Sequence, residues 1–126
     1  MSIDFHHLGL TIAYDTDVRE FYQDILGLDV RREFVLEKEM AERIFHLNRD
    51  VKIVAGMIGD MYMELFLDSE GSRVVWEHVC LVVGDRAALI EKCRAKDYDV
   101  TVIEREPVDM VFVCDRSGNR FEIKQY

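Results

Sequence analysis

Proline is almost missing from these 126 residues. Pro107 stands alone, and no Gly/Ser-rich stretch marks a linker. A boundary between independently moving domains therefore has no compositional sign, and the length suits one compact unit or two closely joined halves. Cysteine is scarce and odd in number. Cys80, Cys93 and Cys114 lack metal-finger spacing, which argues against a disulfide framework and reads as free buried thiols in a reducing compartment. Positive charge is in deficit: 16 Lys and Arg face 25 Asp and Glu, giving a net charge of −9, so no basic footprint for nucleic acid exists. No apolar run approaches a membrane span, and Met1–Asp4 holds neither a basic nor an apolar leader region. The expectation is a soluble cytoplasmic protein without a nucleic-acid or membrane partner.

What the chain does have is a pattern written twice. The turn signal Asp68-Ser-Glu-Gly-Ser72 divides it into two repeats, about 1–68 and 73–126. In the first, Phe5–Ile12 reads as a strand. Thr16–Leu26 puts Val18, Phe21, Tyr22, Ile25 and Leu26 on one helical face, with Asp15 or Thr16 as cap and Gly27 as stop. Leu28–Leu36, Val51–Ile58 and Met61–Leu67 read as strands, the last two joined by the hairpin signal Gly59-Asp60. In the second, Trp76–Val83 is a strand, Asp85 caps a helix over about Arg86–Ala95, and Val100–Glu104, Met110–Cys114 and Arg120–Gln125 are strands. Each repeat is β-α-β-β-β. The symmetry breaks once, at Lys38–Leu47, where Met40, Ile44 and Leu47 recur at helical spacing and predict an extra short helix.

Strand alternation then singles out four residues. Leu8, Leu10 and Ile12 form one apolar face and Val79, Leu81 and Val83 another, which leaves His7 and His78 on the opposite side. Met63, Leu65 and Leu67 leave Glu64 on that same side, and Phe121 and Ile123 leave Glu122 there. If each half-sheet curls, the side away from the helices becomes a cup. Two imidazoles and two carboxylates suit one divalent ion, such as zinc, nickel, cobalt, manganese or iron. His6 is out of register with His78 and reads as an edge residue, and His46 belongs to the inserted helix. Thr11, Tyr62, Phe66, Arg120 and Lys124 share the cup side and are candidates for a substrate wall. Met40, Phe45 and Met57 are placed to cover it, which suits a compact or partly aromatic substrate. Asp115 and Asn119 read as turn formers.

The sequence resembles the vicinal oxygen chelate superfamily, which includes glyoxalase I, methylmalonyl-CoA epimerase, extradiol dioxygenases and the fosfomycin and bleomycin resistance proteins. The resemblance spans nearly the whole chain. It rests on His7-Leu-Gly-Leu-Thr-Ile12, Phe21-Tyr-Gln-Asp-Ile-Leu-Gly-Leu28, Met63-Glu-Leu-Phe66, His78-Val-Cys-Leu-Val-Val83 and Phe112-Val-Cys-Asp-Arg-Ser-Gly-Asn-Arg-Phe-Glu-Ile123. It implies an α+β fold of two βαβββ modules forming a curled mixed sheet, with helices outside and a metal-binding cup inside. It also implies the ligand set His7, Glu64, His78 and Glu122, which is similar to that of bacterial glyoxalase I. Family epimerases typically carry Gln at the place of Glu64, and the dioxygenases and fosfomycin enzymes use only two His and one Glu. The inserted helix and the loop Glu104–Met110, which lacks a glycine-rich stretch, depart from glyoxalase I and weigh against glutathione.

The expected activity is that of a metal-dependent lyase or isomerase. A C–H proton of a small vicinal-oxygen substrate is removed and returned to the adjacent carbon through an enediolate, with Glu122 or Glu64 as general base. An epimerase-like enzyme, an extradiol dioxygenase-like enzyme and a non-catalytic small-molecule binding or resistance protein are the alternatives. Only 14 residues separate Glu64 from His78. That is short for the second half to swing round onto the first, so a homodimer is expected, with His7 and Glu64 from one chain meeting His78 and Glu122 of the other.

Overall fold

A computed structural model describes Ser2, residues 6–70 and residues 78–126. The strand starts expected at Phe5 and Trp76, and the end of the turn at Gly71–Ser72, lie outside the described residues. The first half contains β1 (Leu8–Ile12), a π-helix (Val18–Gln23), β2 (Asp29–Leu36), α1 (Lys38–Phe45), β3 (Val51–Ile58) and β4 (Met61–Leu67). The second contains β5 (Val79–Val83), α2 (Arg86–Ala95), β6 (Asp99–Ile103), β7 (Met110–Cys114) and β8 (Arg120–Gln125). The fold is α+β with two four-stranded mixed sheets, ordered β1-β4-β3-β2 and β5-β8-β7-β6. In each, the first strand runs parallel to the last and the other pairings are antiparallel.

The first helix departs from its expected form. Its N–H groups reach back five residues, from Asp24 to the Arg19 carbonyl (2.9 Å) and from Leu26 to that of Phe21 (3.0 Å), so the turn is wider than an α-helix. Thr16 and Asp17 are already helical ahead of this wide turn, the Val18 N–H bonds the Asp15 carbonyl (3.1 Å), and the Asp17 carboxylate makes no cap hydrogen bond to the helix. It is fully buried and occupied elsewhere, as described below. The expected stop holds: Gly27 adopts φ 75°, which only glycine takes without strain.

Alternation along β3 and β4 divides the apolar side chains between two faces. Val54, Met63 and Leu65 point into the main core with Ile12, Phe21 and Tyr22 of the first half and Tyr98, Val113, Phe121 and Ile123 of the second. One core therefore serves both halves, and the Phe21 ring sits 4.8 Å from that of Tyr98 and 5.9 Å from that of Phe121. Val51, Ile53 and Phe66 point the other way and form a smaller core with Ala41 and Leu47. That smaller core holds α1 onto the cup side of the first sheet. Gly56 lies where β2 bulges near Val30; a Cβ there would stand 2.1 Å from the Asp29 carbonyl oxygen, so no larger residue fits.

The turn after β7 joins the halves. Asp115 accepts from the Tyr22 hydroxyl (2.6 Å), from the backbone N–H groups of Ser117 and Asn119, and from the Asn119 amide (2.8 Å). Asn119 also donates to the Thr11 carbonyl (2.8 Å), and the Ala13 N–H donates to the Ser117 hydroxyl (2.6 Å). Arg116 completes the grip by pairing with Asp17 and Glu20 and donating to the Tyr98 hydroxyl, which itself donates to Asp17 (2.5 Å). Burial raises the pKa of Asp115 above the ordinary carboxylate value against the pull of these donors, and pushes that of Tyr22 well above the ordinary phenol value.

Candidate metal centre

Strand register places each candidate carboxylate beside its histidine. Glu64 on β4 faces Gly9 of β1, and Glu122 on β8 faces Cys80 of β5. His7 and His78 each sit one residue before the edge strand begins, so in both halves the imidazole projects over the neighbouring strand. His7 Nε2 lies 3.2 Å from Glu64 Oε1, and His78 Nε2 lies 3.4 Å from Glu122 Oε1. Both carboxylates are largely covered, with side chains 18% and 14% exposed, and both imidazoles are open at 40% and 42%.

These separations suit a shared ion. Two N/O donors held about 2.1 Å from one metal are about 3.0–3.4 Å apart at octahedral or tetrahedral angles. Supporting contacts fix the rings. The Nδ1 atoms of His6 and His7 are 2.7 Å apart, so one of them donates to the other and the His7 Nε2 edge faces Glu64. His6 and Tyr62 both flank the His7 ring, at centroid distances of 5.0 and 5.9 Å. His6 is exposed, as an edge residue should be, yet it also braces its neighbour. His78 packs edge-on against Phe112 at 5.9 Å.

The four residues are paired two and two. Among the described residues no cluster of three or more His, Cys, Asp or Glu side chains stands close enough to hold one ion. Each chain thus carries two separate His–Glu pairs. β1 and β5, which lead out of the two histidines, are each the end strand of their sheet among the described residues.

The surroundings of the two pairs differ. His7 and Glu64 open into a pocket of about 450 Å³ that Thr11 and Phe66 also line, closed on one side by Ile44, Phe45 and His46 at the end of α1. Phe45 meets Phe66 edge to face at 5.0 Å. Met40 is 45% exposed and points away from this pocket; Ile44 takes the covering place expected of it. His78 opens into a shallower hollow of about 360 Å³ shared with Thr101, Ile103, Phe112 and Arg120. Lys124 Nζ lies 3.8 Å from Glu122 Oε2. Cys80 is exposed on this side of β5 and Cys114 is half-buried; the expectation of buried thiols holds for Cys93 alone, whose pKa burial pushes up to about 11.

Two groups of residues escaped the sequence reading. His46 has φ 60°, and its N–H bonds the Glu42 carbonyl (3.2 Å), so the chain turns at the end of α1 and sets the imidazole at the pocket. A helical period gives no sign of that turn. The set formed by buried Asp17 and Tyr98 with exposed Arg116 joins positions up to 99 residues apart, which no local pattern connects.

No family model matches the sequence, and neither does any curated protein. Solved structures do. The fosfomycin resistance protein FosX of Listeria monocytogenes superposes with a TM-score of 0.75 at 11% identity, covering 100% of this chain and 95% of that one. A glutamine mutant of the same protein, with a TM-score of 0.72 at 13% identity over 98% of this chain and 93% of that one, is complexed with Mn(II) and 1S,2S-dihydroxypropylphosphonic acid. The trypanothione-dependent glyoxalase I of Leishmania major superposes with a TM-score of 0.70 at 18% identity, covering 98% and 87%.

Proposed function

We propose, for a chain with the fold of the vicinal oxygen chelate superfamily, a metal-dependent lyase or isomerase of glyoxalase type that moves a proton between adjacent carbons of a small vicinal-oxygen substrate. One observation carries this reading: two His–Glu pairs in the same register of two matching sheets, each at the spacing of neighbouring ligands. A divalent ion of the zinc, nickel, cobalt, manganese or iron kind, held by His7, Glu64, His78 and Glu122, supplies Lewis-acid polarisation of the substrate oxygens.

The protein's own groups do the rest. Glu64 and Glu122 are the carboxylates at the site, and one takes the proton from carbon at a carboxylate oxygen and returns it to the neighbouring carbon. Coverage of both carboxylates keeps bulk water from competing for that proton. His7 and His78 orient their carboxylates through Nε2. Since each chain holds two half-sites, the complete site is shared across a homodimer, His7 and Glu64 of one chain facing His78 and Glu122 of the other. The bare end strands β1 and β5 suit such edge-to-edge pairing.

A phosphonate substrate is a second reading, favoured by the ligand of the FosX neighbour and by Arg120 and Lys124 on the second cup. Among the described residues no Lys or Arg lines the first pocket, which counts against it.

Elemental analysis of gently purified protein, followed by a screen for solvent deuterium entering hemithioacetals, 2-hydroxy ketones and 2-methylmalonyl thioesters, tests the proposal. About one divalent ion per chain and exchange at a single carbon are expected. Protein that arrives metal-free and refuses added nickel, cobalt and zinc would sink the metal reading. A metal-loaded protein that exchanges no substrate proton would sink the proton-transfer reading alone.

A further inference from the structure

The inserted helix α1 gives one end of the cup a wall that the other end lacks. Its attachment is firm. Ala41 and Leu47 are 0% and 2% exposed in the smaller core, and the Lys38 N–H donates to Asp50 (2.7 Å) at its start. What it presents to the pocket is apolar: Ile44 and Phe45, backed by the Phe66 ring. Among the described residues, the polar side chains lining this space apart from the His7–Glu64 pair are Thr11 and His46, and none of these carries a fixed positive charge. Water in such a space is readily given up to an apolar group, and a flat ring against Phe45 and Phe66 gains edge-to-face contact as well.

We propose that this pocket is a specificity site for an uncharged aromatic or branched apolar substituent borne next to the chelating oxygens. The inference rests on the metal site described above and adds the substrate class. An anionic arm is disfavoured there, because a carboxylate or phosphonate would lose its hydration beside two phenyl rings without gaining a fixed cation. Glutathione conjugates, whose arm is long and charged, are disfavoured for the same reason and by the volume of about 450 Å³.

Three hydroxamates with one chelating head and different arms test this on nickel-loaded protein by calorimetry: acetohydroxamate, benzohydroxamate and succinate monohydroxamate. The phenyl arm should bind about tenfold more tightly than the methyl arm and more tightly than the carboxylate arm, a gain in the range expected for burying one ring. Phe45→Ala should remove most of that preference while acetohydroxamate affinity and nickel content stay. Ile44→Trp, at a 54% exposed position that tolerates substitution, should fill the pocket and lower only benzohydroxamate affinity. Equal affinity for the methyl and phenyl arms, or a preference that survives both substitutions, would overturn the inference and leave the metal site standing. Tighter binding of the carboxylate arm would also overturn it, since the arm would then lie at Arg120. Loss of all three ligands together with nickel would bring down the metal reading and this inference with it.

Discussion

The first half of the molecule and the second repeat the same sheet, the same register and the same His–Glu pair, yet they meet their surroundings differently. In the first, α1 packs on the cup side and Phe66, Val51 and Ile53 are buried beneath it. In the second, the corresponding side is open, with Ile103 48% exposed and Cys80 free to solvent. Gly9 and Cys80 occupy matching places, opposite Glu64 and Glu122. A side chain at the first would crowd its neighbour, because a Cβ there would stand 3.3 Å from the Phe66 ring. The His–Glu pair is the same in both halves; the wall beside it differs between them.

Four pairs of substitutions break or sharpen that comparison. The largest effect should come from the ligands. Of the two halves, neither suffices: His7→Ala and His78→Ala should each abolish turnover and lower nickel affinity, measured by competition with a chelator. Mixing His7→Ala chains with Glu122→Gln chains under subunit exchange should restore about a quarter of wild-type activity, because half of randomly formed dimers are mixed and each has one intact site. Exchange without recovery would mean that the halves of one chain complete their own site.

Next comes the base. Glu122→Gln should keep the metal, since an amide oxygen still ligates, and lower turnover by about 10²–10⁴. Glu64→Gln, measured alongside, shows which half supplies the base; equal losses would point to a proton shared between both carboxylates.

The turns linking the last two strands of each half differ as much as the cups. Asp115→Ala removes the acceptor for Tyr22 and for three further donors, and should cost about 2–4 kcal/mol in urea unfolding. Asp60→Ala, at the exposed tip of the corresponding hairpin, should cost less than about 0.5 kcal/mol. Smaller still is the contrast at the matched cup positions: Gly9→Ala should cost about 1 kcal/mol by displacing the Phe66 ring, and Cys80→Ala close to nothing.

The strands were legible because alternation survives in short segments: β3, β4, β7 and β8 begin and end where their apolar patterns do, and Asp85 caps α2 through the Ala88 N–H (3.0 Å). The π-helix was not. Over six residues, Phe21, Tyr22, Ile25 and Leu26 make the same stripe at either winding, and the wider turn follows from packing against Tyr98 and Phe121 of the other half. Asp115 looked like an ordinary turn residue, and Asp17 drew no reading at all, for a similar reason. Their side chains answer to partners 81 and 93 positions away. The two His–Glu pairs were visible through repetition, which converts distant residues into comparable ones. The pocket wall of α1 had no counterpart to be compared with, and the Met40 expected over the cup gave way to Ile44 because the His46 turn sets the helix end there.

The grip of residues 115–119 on residues 11–22 has a consequence for biosynthesis. A nascent chain has made Asp17 and Tyr22 for about 5–20 s, at ordinary rates of synthesis, before Arg116 and Asp115 leave the ribosome to meet them. Until then the first repeat would have to bury a carboxylate and a phenol without partners, so its native helix cannot close alone. The repeats look like two folding units in sequence but mature as one, after translation of the second. A ribosome stalled before residue 115 should therefore display a first half that proteases still cut within residues 15–28.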